Sequence, residues 1–133
     1  MKIRFLGKES EHGDSPTLYA TDRATYLMQG WKVTDAEILA KLNVPEDETI
    51  VEIYARLMNH LTKDGKSGVI ACWISPIVHV RDNGNLFIQG KRLADSELFT
   101  QMSIPDHEDV VEVDQAAVEA LLGEGQVVET DNK

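Results

Sequence analysis

The chain is poor in the residues that crosslink proteins and in the long apolar runs that cross membranes. It contains one cysteine, Cys72, which excludes an internal disulfide. The apolar neighbours of Cys72 predict a buried thiol in a reducing compartment. No apolar run approaches the roughly 18 residues of a membrane span, and the N-terminus lacks the hydrophobic stretch of a signal peptide. We therefore expect a cytoplasmic protein.

Signatures of catalysis and of metal or cofactor binding are also missing. The four histidines (His12, His60, His79 and His107) are never three or four residues apart, and no Cys-x-x-Cys pair exists. The segment 65–68, Gly-Lys-Ser-Gly, lacks the upstream glycine of a phosphate-binding loop. We predict no catalytic residue, no metal and no cofactor, and we expect a protein that is not an enzyme.

Positive charge is scarce, and the deficit is concentrated in the second half. Residues 1–66 carry nine Lys and Arg against eleven Asp and Glu, and residues 67–133 carry four against twelve, so the local net charges are −2 and −8. An acidic surface repels nucleic acid and attracts a basic protein, although solubility alone would also explain it. The densest acidic cluster comprises Asp106, Glu108, Asp109, Glu112 and Asp114.

What the chain does have is an internal repeat with a period of 60 residues. When residues 15–61 are placed over residues 75–121 without a gap, twelve of 47 positions are identical. The identical residues include Asp35/Asp95, Glu48/Glu108, Glu52/Glu112 and two Gln-Gly pairs, at 29–30 and 89–90. One unit of about 60 residues is marginal alone, so we expect both units to share a core.

The repeat predicts an α+β fold of two pseudo-symmetric tandem units, each a small antiparallel sheet with two helices, sharing one core. We place unit 1 at residues 1–62, a linker at 63–68, unit 2 at 69–122 and a flexible acidic tail at 123–133. Strand edges left open by such sheets could pair between chains, which allows a homodimer.

Local signals place the elements within each unit. Asn83-Gly84 predicts a hairpin turn, and the alignment extends that hairpin to residues 17–33. Strands are predicted at 2–6 and 69–74 before the hairpins, the first because Ile3 and Phe5 alternate with Lys2 and Arg4. Strands are also predicted at 49–53 and 109–113 after the helices, because those two runs are β-branched. Helices are predicted at 55–61 and 115–122, with Asp114 as the N-cap of the latter.

The helices that follow the hairpins carry cap and stop signals. Thr34 and Glu37 form a capping-box pattern, whereas Asp95 is the expected N-cap in unit 2. Pro45 and Pro105 end these helices, because the residue before proline disfavours the α region.

A helix-turn-helix is an alternative interpretation of residues 38–57. Its recognition helix would begin near Pro45 and carry Glu46, Asp47, Glu48 and Glu52, where a DNA reader needs donors to phosphates and bases. The charge therefore disfavours direct DNA binding.

The two Gln-Gly pairs have a structural and a functional interpretation. Gly30 and Gly90, late in their strands, indicate a bend or a close backbone approach. Alternatively, Trp31 with Lys32, and Lys91 with Arg92, form a recognition edge, because an exposed tryptophan is a frequent interface anchor. Together with Asp106, Glu108, Asp109 and Glu112, these four residues are our candidate partner-binding set.

The segment Gln29–Asp35, with Ser15–Tyr19 before it and Val44-Pro45-Glu46 after it, resembles small acidic proteins of actinobacteria such as Streptomyces. Those proteins are encoded beside helix-turn-helix regulators and proteins of the BldB/AbaA kind. The resemblance covers about residues 3–61. It implies a cytoplasmic accessory protein of a developmental or stress regulator and carries no catalytic residue.

Two functional hypotheses follow. The first is a non-enzymatic protein-protein interaction module that binds a basic partner, such as a DNA-binding regulator, by salt-sensitive association. The second is a small-molecule sensor or enzyme whose site lies between the two units.

Overall fold

The computed structural model describes residues 1–9, 16–102 and 104–123, and every structural statement below concerns these ranges. They form an α+β fold with a seven-stranded antiparallel sheet. The strands are β1 (Ile3–Lys8), β2 (Thr17–Thr21), β3 (Thr25–Lys32), β4 (Glu48–Ile53), β5 (Ile77–Val80), β6 (Leu86–Arg92) and β7 (Glu108–Asp114). The helices are α1 (Ala36–Leu42), α2 (Ser96–Met102), α3 (Gln115–Glu119) and a 3-10 helix (Ala55–Asp64).

Both predicted hairpins are present. β2 pairs with β3 and β5 pairs with β6, each in antiparallel register. Each turn contains one residue with positive φ, Ala24 at 59° and Gly84 at 93°. Alanine pays a steric cost there that glycine avoids, which explains why the sequence signal was strong only in the second hairpin.

The long strands exchange partners between the two halves of the chain. β3 pairs with β7 over seven residues, and β4 pairs with β6 over six. At their ends, β3 also pairs with β4, and β6 with β7. These four strands therefore close a ring of pairings, and closure removes exposed edges. β2 and β1 extend the sheet from β3, and β5 extends it from β6.

The close crossings at the ends of β3 and β6 explain the two recurring glycines. A Cβ on Gly30 would overlap the carbonyl oxygen of Glu52, and one on Gly90 would lie 2.7 Å from that of Glu112. Any side chain there would push the crossing strands apart. The structural interpretation of the Gln-Gly pairs, a close backbone approach, is confirmed.

The core has two parts. The larger cluster draws residues from all seven strands, the 3-10 helix and α3; its members include Tyr26, Met28, Leu57, Met58 and Leu86. The hydroxyl of Tyr26 donates to Asp64 at 2.5 Å and so joins β3 to the end of the 3-10 helix. The smaller cluster packs α2 against β3 and β7 and includes Leu27, Leu93, Leu98, Met102 and Val110.

The two matching helices start at an aspartate. The Asp35 side chain accepts hydrogen bonds from the backbone N–H groups of Glu37 and Ile38 at 3.1 and 3.3 Å. Asp95 does the same for its own helix at 3.0 and 3.2 Å, as predicted. The Thr34 capping box was wrong, because the helix begins one residue later and Asp35 occupies the cap position. Asp114 does occupy the N-cap position of α3, but its side chain makes no cap hydrogen bond.

The strand predicted at residues 69–74 was wrong, and so was the buried Cys72. This segment forms one isolated bridge, Ile70 with Leu122, and Cys72 is exposed. Only Ser75 and Pro76 separate it from β5, and this pair is not a two-residue hairpin sequence. The segment therefore cannot fold back along β5 in the way that β1 folds back along β2.

The remaining boundaries differ slightly from expectation. The predicted strands at 49–53 and 109–113 are confirmed as β4 and β7, so a recognition helix at those positions is excluded. The first predicted closing helix is a 3-10 helix that runs to Asp64, into the predicted linker. Most of the predicted tail, residues 124–133, lies outside the described ranges. The described helices lack the length and apolar character needed to cross a membrane.

Candidate functional site

The predicted recognition edge lies at the crossings of the ring. Trp31 is half-buried and stacks edge-on against Tyr54, with ring centroids 5.0 Å apart. It is therefore not the exposed anchor that the sequence suggested. Lys32, Lys91 and Arg92 are exposed. The backbone N–H of Lys32 donates to the His107 carbonyl at 3.0 Å, so the basic edge of one half borders the acidic turn of the other.

One member of the predicted acidic surface is buried. Glu108 is 3% exposed, and its Oε1 accepts a hydrogen bond from the Gln29 side chain at 2.7 Å. Its other oxygen, Oε2, has no hydrogen-bond partner in the described residues and lies 3.5 Å from the His107 ring. Glu108 therefore cannot contact a partner, which corrects its place in the predicted set. Its recurrence in the sequence reflects a structural pair, since Gln89 donates to Glu48 in the same way at 2.6 Å.

Glu112 is also bound within the protein. Its carboxylate accepts two hydrogen bonds from Arg23, at 2.7 and 2.8 Å, and one from the Thr25 hydroxyl at 2.7 Å. Burial alone would raise the pKa of Glu112, but these hydrogen bonds and the charge of Arg23 outweigh it and lower the pKa below its usual value. The Glu112 carboxylate therefore already forms hydrogen bonds within the fold and is not free for a partner.

Beside Glu112 lies a cleft of about 430 Å³ that is lined by residues from both halves of the chain. Arg23 and Glu112 line one part of it, and Glu48, Gln89 and Lys91 line another. Most of these polar groups hydrogen-bond to one another, as described above. The cleft is open to solvent, and Lys91, which lines it, is exposed.

The remaining predicted acidic residues differ in access. Asp106 is exposed, whereas Asp109 is half-buried. The Asp109 carboxylate accepts a hydrogen bond from the backbone N–H of Val110 at 2.8 Å. Of the four predicted acidic contact residues, only Asp106 is thus fully available to a partner.

A group of exposed apolar residues lies elsewhere, on the segment between the 3-10 helix and β5. We call residues 69–74 the apolar segment. Trp73 is 53% exposed and Ile74 56% exposed, and Val69 is also exposed. Exposed apolar residues grouped along a segment are typical of surfaces that contact other molecules.

Backbone hydrogen bonds hold the apolar segment in place. The N–H groups of Ala71 and Cys72 donate to the Leu121 carbonyl at 2.7 and 2.9 Å, and that of Gly123 donates to the Val69 carbonyl at 2.7 Å. The segment therefore presents Trp73 from a fixed backbone, which lowers the entropy cost of binding.

The apolar segment leads into an open sheet edge. β5 pairs with β6 on one side, and no strand in the described ranges pairs with its other side. Val80, at the end of β5, is exposed. The opposite end of the sheet is different, because the 3-10 helix packs against β1.

Sequence reasoning missed this surface, although a signal was present. The counterpart of residues 69–74 under the 60-residue alignment is residues 9–14, Glu-Ser-Glu-His-Gly-Asp. Because the counterpart of this apolar run is polar, the fold shared by the two halves does not require apolar residues at these positions. The apolar character was interpreted as burial, whereas its lack of recurrence indicates a role outside the core.

The described residues contain no cluster of His, Cys, Asp and Glu that could hold a metal ion. Comparison of the chain with protein-family models, curated proteins and solved structures gives no significant match. Functional inference therefore depends on the surfaces described above.

Proposed function

We propose that this protein is a non-enzymatic interaction module that binds a basic protein partner through the apolar segment. The observation that carries this proposal is the exposure of Trp73 and Ile74 on a backbone held by hydrogen bonds. Tryptophan is among the residues that contribute most to binding at interface centres.

Charge determines the kind of partner. The chain carries a net charge of −10, and Asp82 and Asp106 are exposed. An approaching basic protein is attracted over about a Debye length, which speeds association and makes it salt-sensitive. This supports a basic partner such as a DNA-binding regulator, with this chain as its cytoplasmic accessory protein.

Affinity purification from the native host, with Trp73→Ala compared to the wild type, tests the proposal. We expect the wild type to retain a basic protein at low salt. Trp73→Ala should bind that protein about 30-fold more weakly. Salt at about 0.5 M, which screens surface charges, should weaken the binding of the wild type. Phe5→Ala is the matched control, because Phe5 is 59% exposed on β1, outside the apolar segment. Equal retention by wild type and Trp73→Ala would remove the proposal.

The cleft beside Glu112 supports a second candidate, a small-molecule site between the two halves. Its volume suits a small ligand, and Lys91 would favour an anion. Ligand-observed NMR with a set of small anions tests it. Binding that Lys91→Ala weakens would support the sensor hypothesis, and no binding at millimolar concentration would remove it.

We further propose that the two halves are tandem copies related by a pseudo-twofold axis. Leu27 lies opposite Glu112 across β3 and β7, and Phe87 lies opposite Glu52 across β6 and β4. Each residue of the second pair is the 60-residue counterpart of one in the first. Six of the seven pairs between β3 and β7 have such a counterpart between β4 and β6. A homodimer is compatible with this arrangement through the open edge of β5.

A further inference from the structure

We propose that the open edge of β5 accepts an extended segment of the basic partner as an additional antiparallel strand. This inference rests on the proposed function and names how the partner is held. Three observations support the addition of a strand at this edge. The edge of β5 is unpaired, the apolar face of α1 is less buried than that of α2, and the Asp82 carboxylate has no hydrogen-bond partner within the described residues.

The first observation is the difference between two equivalent edges. β2 is paired on both sides, by β1 and by β3. β5, its 60-residue counterpart, is paired on one side within the described ranges. The Arg81 N–H donates to the carbonyl of Asn85, the residue before β6, at 2.9 Å. Because successive peptide groups of a strand point in opposite directions, the N–H and C=O of Val80 face the open side.

The second observation concerns α1 and α2. On α2, Leu98 and Met102 belong to a buried cluster. Ile3 of β1, the strand that covers β2, and the nearby Met1 pack against this cluster. Their counterparts on α1, Ile38 and Leu42, are half-buried, and α1 has no buried residue. The apolar face of α1 is therefore less buried than that of α2, as expected if α1 lacks a covering strand like the one beside α2.

The third observation is a carboxylate that is occupied in one half and unoccupied in the other. Asp22 accepts the Lys2 N–H on its Oδ1 at 3.1 Å, and its own N–H donates to the Lys2 carbonyl at 3.0 Å. Asp22 thereby binds the start of β1 through its backbone. Asp82 is the identical counterpart beside β5. It is exposed and forms no hydrogen bond or ion pair within the described residues.

The chain itself shows which strand fits such an edge. Basic and apolar side chains alternate at the start of β1, where Lys2 and Arg4 alternate with Ile3 and Phe5. β5 carries no charge that would oppose pairing. A second copy of the chain would bring a further charge of −10, whereas a basic segment is attracted. We therefore infer a partner segment of alternating apolar and basic residues.

A synthetic peptide with the sequence of residues 1–8, Met-Lys-Ile-Arg-Phe-Leu-Gly-Lys, is the probe. The full chain, labelled with ¹⁵N, is titrated with this peptide and followed by amide shifts. We expect the shifts to centre on residues 77–82. A control peptide with glutamate in place of each basic residue should bind more weakly at low salt, with the difference shrinking as salt rises.

Two variants test the backbone contacts. Val80→Pro removes the outward N–H without removing a hydrogen bond to β6. It should weaken peptide binding about tenfold, a loss typical of one hydrogen bond. Val80→Ala keeps that N–H and should retain most of the affinity. Asp82 lies on the surface, so we expect Asp82→Ala to fold normally. This variant should weaken peptide binding several-fold.

The outcomes separate this inference from the proposed function. Unchanged peptide binding by Asp82→Ala and Val80→Pro would overturn strand addition, as would shifts confined to residues 17–22, where the peptide would have displaced β1. A concentration-dependent dimer that Val80→Pro abolishes would show that a second copy occupies the edge. If Trp73→Ala abolishes partner capture while both edge variants leave it intact, the proposed function stands and strand addition falls.

Discussion

Replacing Gln29 by leucine should destabilise the fold by about 3 kcal/mol, because it leaves the buried Glu108 carboxylate without its hydrogen-bond donor. Glu108 has a side chain that is 1% exposed, and Oε2 already lacks a hydrogen-bond partner. Loss of the 2.7 Å bond from Gln29 would leave both oxygens unbonded where water cannot reach. Leucine is similar in volume to glutamine, so the cavity contribution is small.

The chain supplies its own matched control in Gln89→Leu. Gln89 donates to Glu48 at 2.6 Å, but both residues are half-buried. Water can replace the lost donor there, so we expect a loss of about 1 kcal/mol or less. Guanidinium unfolding at pH 7 measures both variants, provided that the slope of the free energy against denaturant stays constant.

A double variant tests the cause. Gln29→Leu combined with Glu108→Leu removes the donor and the stranded carboxylate together, and such replacements are nearly neutral. We expect the double variant to be more stable than Gln29→Leu alone. Equal losses at Gln29 and Gln89, or additive effects of the two leucines, would refute the reasoning.

Three further predictions follow from the caps, the exposed thiol and the pKa shifts. Asp35→Ala should cost about 1 kcal/mol and Thr34→Ala close to nothing in the same unfolding assay; the reverse order would restore the capping box. Cys72 should react with a thiol reagent in the native state at nearly the rate of the unfolded chain, and protection would contradict its exposure. The lowered pKa of Glu112 contributes stability that is fully present above its unfolded pKa, about 4.3, and is lost as pH falls through the lower folded value. Arg23→Ala should therefore flatten the loss of stability with acid in this window, and an unchanged acid profile would contradict the pairing.

Strand exchange was beyond sequence reasoning for a specific reason. β4 and β7 carry the same residues at key positions, Val51/Val111 and Glu52/Glu112. Each could pair with the hairpin of its own half or with that of the other half at the same register. Nothing local distinguishes these choices, because register depends on pattern and both patterns match.

The sequence predicted the exposure of part of the partner-binding set. Asp106 and the basic residues Lys32, Lys91 and Arg92 are exposed, as a contact surface requires. Glu108 was misplaced, because an acidic run is ordinarily solvated and only a strand from the other half, bringing Gln29, makes its burial tolerable.

The two hairpins and the strands at β4 and β7 were determined by the sequence alone, because turn residues and β-branched runs act over a few neighbouring positions. The tertiary structure alone decided which strands meet, which recurring carboxylates are buried and which sheet edge stays open. These depend on contacts between residues some 80 positions apart, such as Gln29 with Glu108, and on the space left once such contacts have formed.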